Sequence, residues 1–96
     1  MDVVITYDLS NNKQSEVKAE MIRMGYYDGW NIGIVKYTLP STTLWKKNIT
    51  LPQALVDMNR AILNVNTLLP PAEQTRLSRC MCFPAAPWTG IEGVPF

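Results

Sequence analysis

The first of two helical patterns lies in residues 13–24. Val17, Met21 and Met24 recur there at positions i, i+4 and i+7, and the charged residues of the segment occupy the other faces. Gly25 follows, and glycine is the residue that most readily takes the left-handed backbone with which many helices end. The pattern therefore predicts an amphipathic helix over residues 13–24.

The second helical pattern, over residues 51–67, begins with a capping signal. Thr50 and Gln53 have the Ser/Thr-x-x-Glu/Gln spacing of a capping box, and Pro52 is tolerated in a first helical turn. The predicted apolar stripe consists of Leu55, Met58, Ile62, Val65 and Leu69. The residues expected to face water are Asp57, Asn59, Arg60 and Asn64. We expect Leu55, Met58 and Ile62 to be buried and the helix to end by Pro70.

Four other segments are rich in β-branched and aromatic residues and are bounded by turn residues, which is typical of strands. They are residues 2–9, 30–39, 42–47 and 76–83. Pro40 and Ser41 separate the second segment from the third. The simplest prediction is that these two strands form an antiparallel β-hairpin.

The order strand, helix, strand, strand, helix, strand predicts an α+β fold. Specifically, it is the β-α-β-β-α-β order of a ferredoxin-like sandwich, in which two helices cover one face of a four-stranded antiparallel sheet. We expect this domain to span residues 1–84. Residues 85–96 are apolar but interrupted by proline and glycine, and they are expected to form a docked C-terminal tail.

The second face of such a sheet would lack helices and needs a cover. Trp30, Trp45 and Trp88 are large apolar residues that a domain of 96 residues has little core to bury. A homodimer that packs face to face, with the tail as a clasp, would bury them. The sequence therefore predicts these three tryptophans at a dimer interface.

Composition narrows the functional classes. Apolar residues form 47% of the chain and charged residues 18%, which is globular composition for one domain. The net charge of +1 gives no overall field for nucleic acid or anionic membranes, so such binding would need a local patch. No secretory signal and no apolar run long enough for a bilayer is evident. The expected location is the cytoplasm, without membrane contact.

The chain has no histidine and two cysteines, Cys80 and Cys82. Without histidine there is no Ser-His-Asp or Cys-His arrangement, and the commonest general base is missing. The two thiols lie on one face of a predicted strand and could supply two zinc ligands, but structural zinc sites usually need four. Packing in a reduced core is the favoured interpretation.

Several short motifs resemble one known family. Residues 3–10, VVITYDLS, are similar to the first strand of the CRISPR-associated endoribonucleases, the small ferredoxin-like subunits of spacer-acquisition complexes, and to the related SinR-like proteins. The turn at Gly29 and Trp30, residues 41–50 and the closing residues 86–90 extend the resemblance over most of the chain.

The resemblance implies a homodimer in which Asp8 of each subunit lies near the two-fold axis. Two such carboxylates and water suit Mg²⁺, and the corresponding activity is metal-assisted phosphodiester cleavage. From the residues alone, an aspartate before Leu-Ser-Asn-Asn is equally typical of a loop cap. Asp8 is thus a candidate catalytic and metal-binding residue with a structural alternative.

Basic residues interleaved with aromatic ones form a candidate nucleic-acid patch. They are Lys36, Lys46, Lys47, Arg76 and Arg79. The alternative is a solvated sheet edge that lysines keep from aggregating. Only a dimer, which doubles such a patch, would make a chain of charge +1 a nucleic-acid binder.

Two functional hypotheses remain. The first, which we favour, is a small dimeric interaction module of defence-system or mobile-element type that contacts nucleic acid or a partner protein and needs no cofactor. The second is an Mg²⁺-dependent endonuclease, acting on RNA or DNA, that uses Asp8 from both subunits.

Overall fold

The computed structural model describes residues 1–32 and 34–85, which form an α+β fold with two helices and antiparallel strands. The elements are β1 (Val3–Leu9), α1 (Gln14–Arg23), β2 (Gly29–Ile32), β3 (Val35–Thr38), β4 (Thr43–Lys46), α2 (Leu51–Asn66) and β5 (Leu77–Pro84). A single 3₁₀ turn, Pro71–Glu73, follows α2. The predicted α+β class and both helices are confirmed.

The main sheet has three strands in the order β4-β1-β5, and both pairings are antiparallel. β1 takes the centre because its residues are the most apolar of the three strands, and Val3 and Ile5 are fully buried. The place beyond β4 is taken by one residue, since Tyr27 forms an isolated bridge with Trp45. The prediction was a sheet of four paired strands. In the structure a single bridge at Tyr27 takes the position of the fourth strand.

The predicted pairing of residues 30–39 with residues 42–47 is wrong. β2 instead pairs with β3 in a separate two-stranded sheet, from Gly29 opposite Thr38 to Ile32 opposite Val35. The outer edge of β4 is already used by Tyr27, whose backbone exchanges two hydrogen bonds with that of Trp45 (2.8 and 3.0 Å). The strands β2 and β3 therefore pair with each other and not with β4.

Both helix ends follow the local signals of the sequence. Gly25 has a φ of 94°, and the amides of Gly25 and Tyr26 donate to the carbonyls of Ile22 and Met21, which is a Schellman motif. At the start of α2, the hydroxyl of Thr50 accepts a hydrogen bond from the amide of Gln53 (3.1 Å). Two carbonyls at the end of α1 and one amide at the start of α2 are thereby satisfied.

The main core lies between the helices and the sheet. Its fully buried members include Val3, Ile5, Val17, Met21, Leu44, Ala54, Met58 and Ala61. The predicted stripe of α2 is partly wrong, because Leu55 is 43% exposed and Asp57 is buried. Ala54 and Ala61 face the core, and their small side chains let the helix approach the sheet along a line that excludes Leu55.

Candidate functional site

The face of the sheet that the helices leave open carries the candidate site. Because side chains alternate along a strand, the inward residues of β1 leave Val4, Thr6 and Asp8 for the open face. Their neighbours across the sheet follow from the strand register. They are Thr43 and Trp45 on β4 and Arg79, Met81 and Phe83 on β5.

One half of this face is covered by the chain itself. Trp45 is only 6% exposed, and its ring stacks on that of Trp30 with centroids 4.6 Å apart. Its indole N–H donates to the carbonyl of Gly29 (2.8 Å), and Val4, Leu39 and Ala85 complete the cluster. A second chain is therefore not needed to bury Trp45. The role of Trp30 and Trp45 in a dimer stays a prediction.

The other half of the face is open to solvent. Met81 is 67% exposed and Phe83 is 42% exposed, although both lie on a sheet surface next to the buried cluster. A shallow depression of about 190 Å³ beside Met81 is lined also by Thr6, Asp8 and Arg79. An apolar surface with one ion pair at its margin can contact another protein surface.

Asp8 is paired across the strands with Arg79. The Arg79 Nε atom lies 3.1 Å from Asp8 Oδ2, and both side chains are at least half exposed. The loop after β1 is held instead by Ser10, whose hydroxyl accepts from the amide of Arg76 (2.9 Å) and whose amide donates to the Arg76 carbonyl (2.8 Å). The loop-capping function predicted for Asp8 thus belongs to Ser10.

The surroundings of Asp8 in one chain do not fit a Mg²⁺ site. Asp8 is the one carboxylate that lines the depression, and the guanidinium of Arg79 already neutralises it. Across residues 1–32 and 34–85, no three cysteine, aspartate or glutamate side chains come together as a potential metal site. We therefore derive no metal-assisted step from this arrangement.

The predicted basic residues whose side chains the structure describes lie in two groups at opposite ends of the sheet. The ammonium of Lys46 donates to the carbonyl of Met24 (2.8 Å) and lies 5.3 Å from the centre of the Tyr26 ring. The Met24 carbonyl lies at the C-terminal end of α1, where the helix dipole favours a positive charge such as that of Lys46. Lys47 lies over the rings of Tyr27 and Trp45, at 5.9 and 5.8 Å.

The arginines lie at the other end of the sheet. Val3 is opposite Lys46, whereas Asp8 is opposite Arg79, so the two groups are separated by roughly 17 Å along β1. Arg76 precedes β5 at the same end as Arg79. Lys36 is on β3, and its side chain lies outside the described part of the structure, as does the whole of Trp88.

Both cysteines face the helices at the margin of the core, and neither forms a disulfide. Burial raises the pKa of the Cys80 thiol to about 11 and also raises the pKa of the Cys82 thiol. Since both thiols stay protonated at neutral pH, they lack the reactivity of a catalytic cysteine. Packing, the favoured interpretation, agrees with this placement.

A buried polar cluster around Asp57 was not predicted from the sequence. The Tyr26 hydroxyl donates to Asp57 Oδ2 and the Gln53 amide donates to Asp57 Oδ1, both at 2.8 Å. Burial, and then the hydrogen bond to Asp57, raise the pKa of Tyr26. The cluster fixes α2 against the turn that carries Tyr27 to β4. The only advance signal was the i, i+4 spacing of Gln53 and Asp57 on one helix face.

No model of a known protein family matches the chain. Searches of curated proteins and of solved structures also found no significant match. The resemblance drawn from the short motifs therefore stays a prediction. In residues 1–32 and 34–85, no helix has the length and apolar character required to cross a membrane.

Proposed function

We propose that the chain is a non-enzymatic, homodimeric interaction module, and that the surface of β5 joins the two copies. One observation carries the proposal. The exposed side chains of Met81 and Phe83 lie together on a strand at the edge of the sheet, beside an already packed apolar cluster. Apolar surface of this kind on a small domain is stabilised when a partner covers it.

The proposal includes a ferredoxin-like arrangement. β4, α2 and β5 form a β-α-β unit, and β1 lies between its two strands, which is the split form of that unit. Both helices pack on the same side of the sheet, since residues of α1 and α2 share one core with the inward side chains of β1. Tyr27 holds the position of the remaining strand.

A second copy is the partner that the charges favour. Asp8 and Arg79, the two charged residues that line the depression beside Met81, neutralise each other, so the charges there do not oppose the meeting of two identical surfaces. Binding of nucleic acid is less favoured, because the Lys46 ammonium binds a carbonyl of the same chain and Lys47 and Arg79 lie at opposite ends of the sheet. A module of defence-system or mobile-element type, as the short motifs suggest, is compatible with this surface.

Sedimentation of the full chain at micromolar concentration tests the proposal. Met81→Glu should weaken self-association by roughly ten-fold or more, because it places a charge in the apolar contact. Leu63→Glu is the matched control, since Leu63 on α2 is 64% exposed and Met81 is 67% exposed. Leu63→Glu should leave association unchanged. A monomeric wild-type chain, or equal effects of the two variants, would contradict the proposal.

The enzymatic alternative needs its own assay. Wild-type protein and Asp8→Asn are incubated with labelled single- and double-stranded RNA and DNA in Mg²⁺ or Mn²⁺. We expect no cleavage by either protein. Cleavage that requires Asp8 and is abolished by a chelator would overturn the non-enzymatic proposal. If the nucleic acid migrated more slowly in a native gel without being cleaved, nucleic acid would be identified as the partner instead.

A further inference from the structure

Among the described residues, the register leaves backbone groups on the outer edge of β5 unpaired. The amide of Ala85 donates to the carbonyl of Asp2 (2.9 Å), so alternate residues of β5, Met81 and Phe83 among them, direct their backbone groups toward β1. The backbone groups of Cys80 and Cys82 then point away from the sheet.

Within residues 1–32 and 34–85, no strand pairs with this edge. β5 is eight residues long, and only its last residue, Pro84, lacks an amide that could pair with another strand. The opposite edge of the sheet differs, because Tyr27 occupies β4 at Trp45. A long edge without a cover is a surface onto which another strand can add.

We propose that β5 pairs with β5 of a second copy in antiparallel fashion, so that two three-stranded sheets become one six-stranded sheet. The inference rests on the proposed homodimer and specifies how its two copies meet. A two-fold axis places a strand antiparallel to itself and offers the same groups from both sides. The amides and carbonyls of Cys80 and Cys82 then bond their counterparts in the partner.

The side chains of β5 are compatible with this pairing. On the open face, Met81 and Phe83 gain cross-strand neighbours from β5 of the partner, while Arg79 remains paired with Asp8. The proposed axis passes the middle of the strand, at Cys80, Met81 or Cys82, so that on the helix face a cysteine lies opposite a cysteine. An axis at Cys80 places Cys80 opposite itself, an axis at Met81 places Cys80 opposite Cys82, and an axis at Cys82 places Cys82 opposite itself.

This assembly also bears on the nuclease alternative. In a six-stranded sheet the two copies of β1 are separated by three strand spacings, which is roughly 14 Å. The two Asp8 carboxylates are then too far apart to share one metal ion. Joining the copies edge to edge therefore accounts for a homodimer without the catalytic site that the short motifs imply.

Hydrogen exchange of single amides, followed by NMR on the full chain, tests the pairing. In the dimer the amides of Cys80 and Cys82 should be protected, and dilution to the monomer should increase their exchange at least ten-fold. The amides of Met81 and Phe83 serve as internal controls, because they bond β1 in both states. Rapid exchange of Cys80 and Cys82 at concentrations where sedimentation shows a dimer would overturn the edge pairing alone.

A matched pair of variants gives an independent test. Cys82→Pro removes an outward amide and should weaken the dimer by roughly ten-fold or more, whereas Cys82→Ala keeps the amide and should leave association nearly unchanged. Equal association of the two variants would overturn the pairing. A monomeric wild-type chain would instead overturn the proposed homodimer.

Oxidation with diamide at mildly alkaline pH then locates the axis. Disulfide-linked dimers that persist in Cys82→Ser indicate an axis at Cys80, and those that persist in Cys80→Ser indicate an axis at Cys82. Loss of the linked dimer in both single variants, but not in the wild type, indicates an axis at Met81. No linked dimer in any of the three proteins would count against the pairing.

Discussion

The two faces of the same sheet are covered in different ways. On one face, Val3, Ile5 and Tyr7 of β1 are buried under two helices with capped ends. On the other face, Trp45 is covered by the two-stranded sheet, and Met81 a few residues away is exposed. The helix face thus holds the larger core, and the open face divides into a covered half and an exposed half. Stability measurements should separate these regions.

The largest effect should come from the covered half of the open face. Trp45→Ala should lower the free energy of unfolding by ~3–5 kcal/mol, because it removes the ring that stacks on Trp30 and the hydrogen bond to Gly29. Phe83→Ala, on the same face but 42% exposed, should cost less than about half of that. Urea unfolding of dilute protein measures both. Equal losses would show that the open face is not divided.

A similar contrast exists along α2 on the helix face. Met58→Ala should cost ~2–5 kcal/mol, because Met58 is fully buried between α2 and the sheet. Leu55→Ala is the control on the same helix and should cost less than about 1 kcal/mol, since Leu55 is partly exposed. If the Met58 variant lost under about half a kcal/mol, the core assignment of α2 would be wrong.

The smallest expected effect concerns two ionisable residues on the helix face, and it changes the free energy of unfolding only at alkaline pH. Burial raises the pKa of Tyr7 from 10.0 to about 12 and that of Cys80 from 9.0 to about 11. Above about pH 9 the unfolded chain therefore binds fewer protons than the folded one, and stability falls as pH rises toward about 12.

Urea unfolding at neutral pH and at pH about 11 measures this loss. Tyr7→Phe should reduce the loss, because it removes one of the groups that ionise only after unfolding. The variant should change stability little at neutral pH, where the Tyr7 hydroxyl is buried and has no hydrogen-bond partner among the described residues. An identical alkaline loss in wild type and Tyr7→Phe would exclude Tyr7 as its source.

Local signals were enough to predict the helices but not the way in which they pack. The Thr50 cap and the Gly25 end depend on neighbouring residues, and both are confirmed. Which face of α2 turns inward depends on how closely the helix approaches the sheet. Ala54 and Ala61 set that approach, so Leu55 is exposed and Asp57 is buried beside Tyr26.

The strand pairing and the site depended on contacts between distant residues. The backbone contact of Tyr27 with Trp45 decides that β2 and β3 pair with each other, and no short window contains both residues. Likewise, Asp8 and Arg79 are 71 positions apart in the sequence and become neighbours only through the register of β1 and β5. The candidate residue Asp8 was found from the sequence, but its partner was not.

The central position of β1 also has a consequence for the order of folding. β1 is synthesised before the other strands of its sheet, yet one of its two neighbours is β5, which begins after α2 and its following turn. Until β5 has emerged from the ribosome, β1 pairs on one side at most and the core beneath it stays incomplete. Because such distant pairing is slow, the sheet should close only after synthesis of β5, and chains that stop before it should be prone to aggregation.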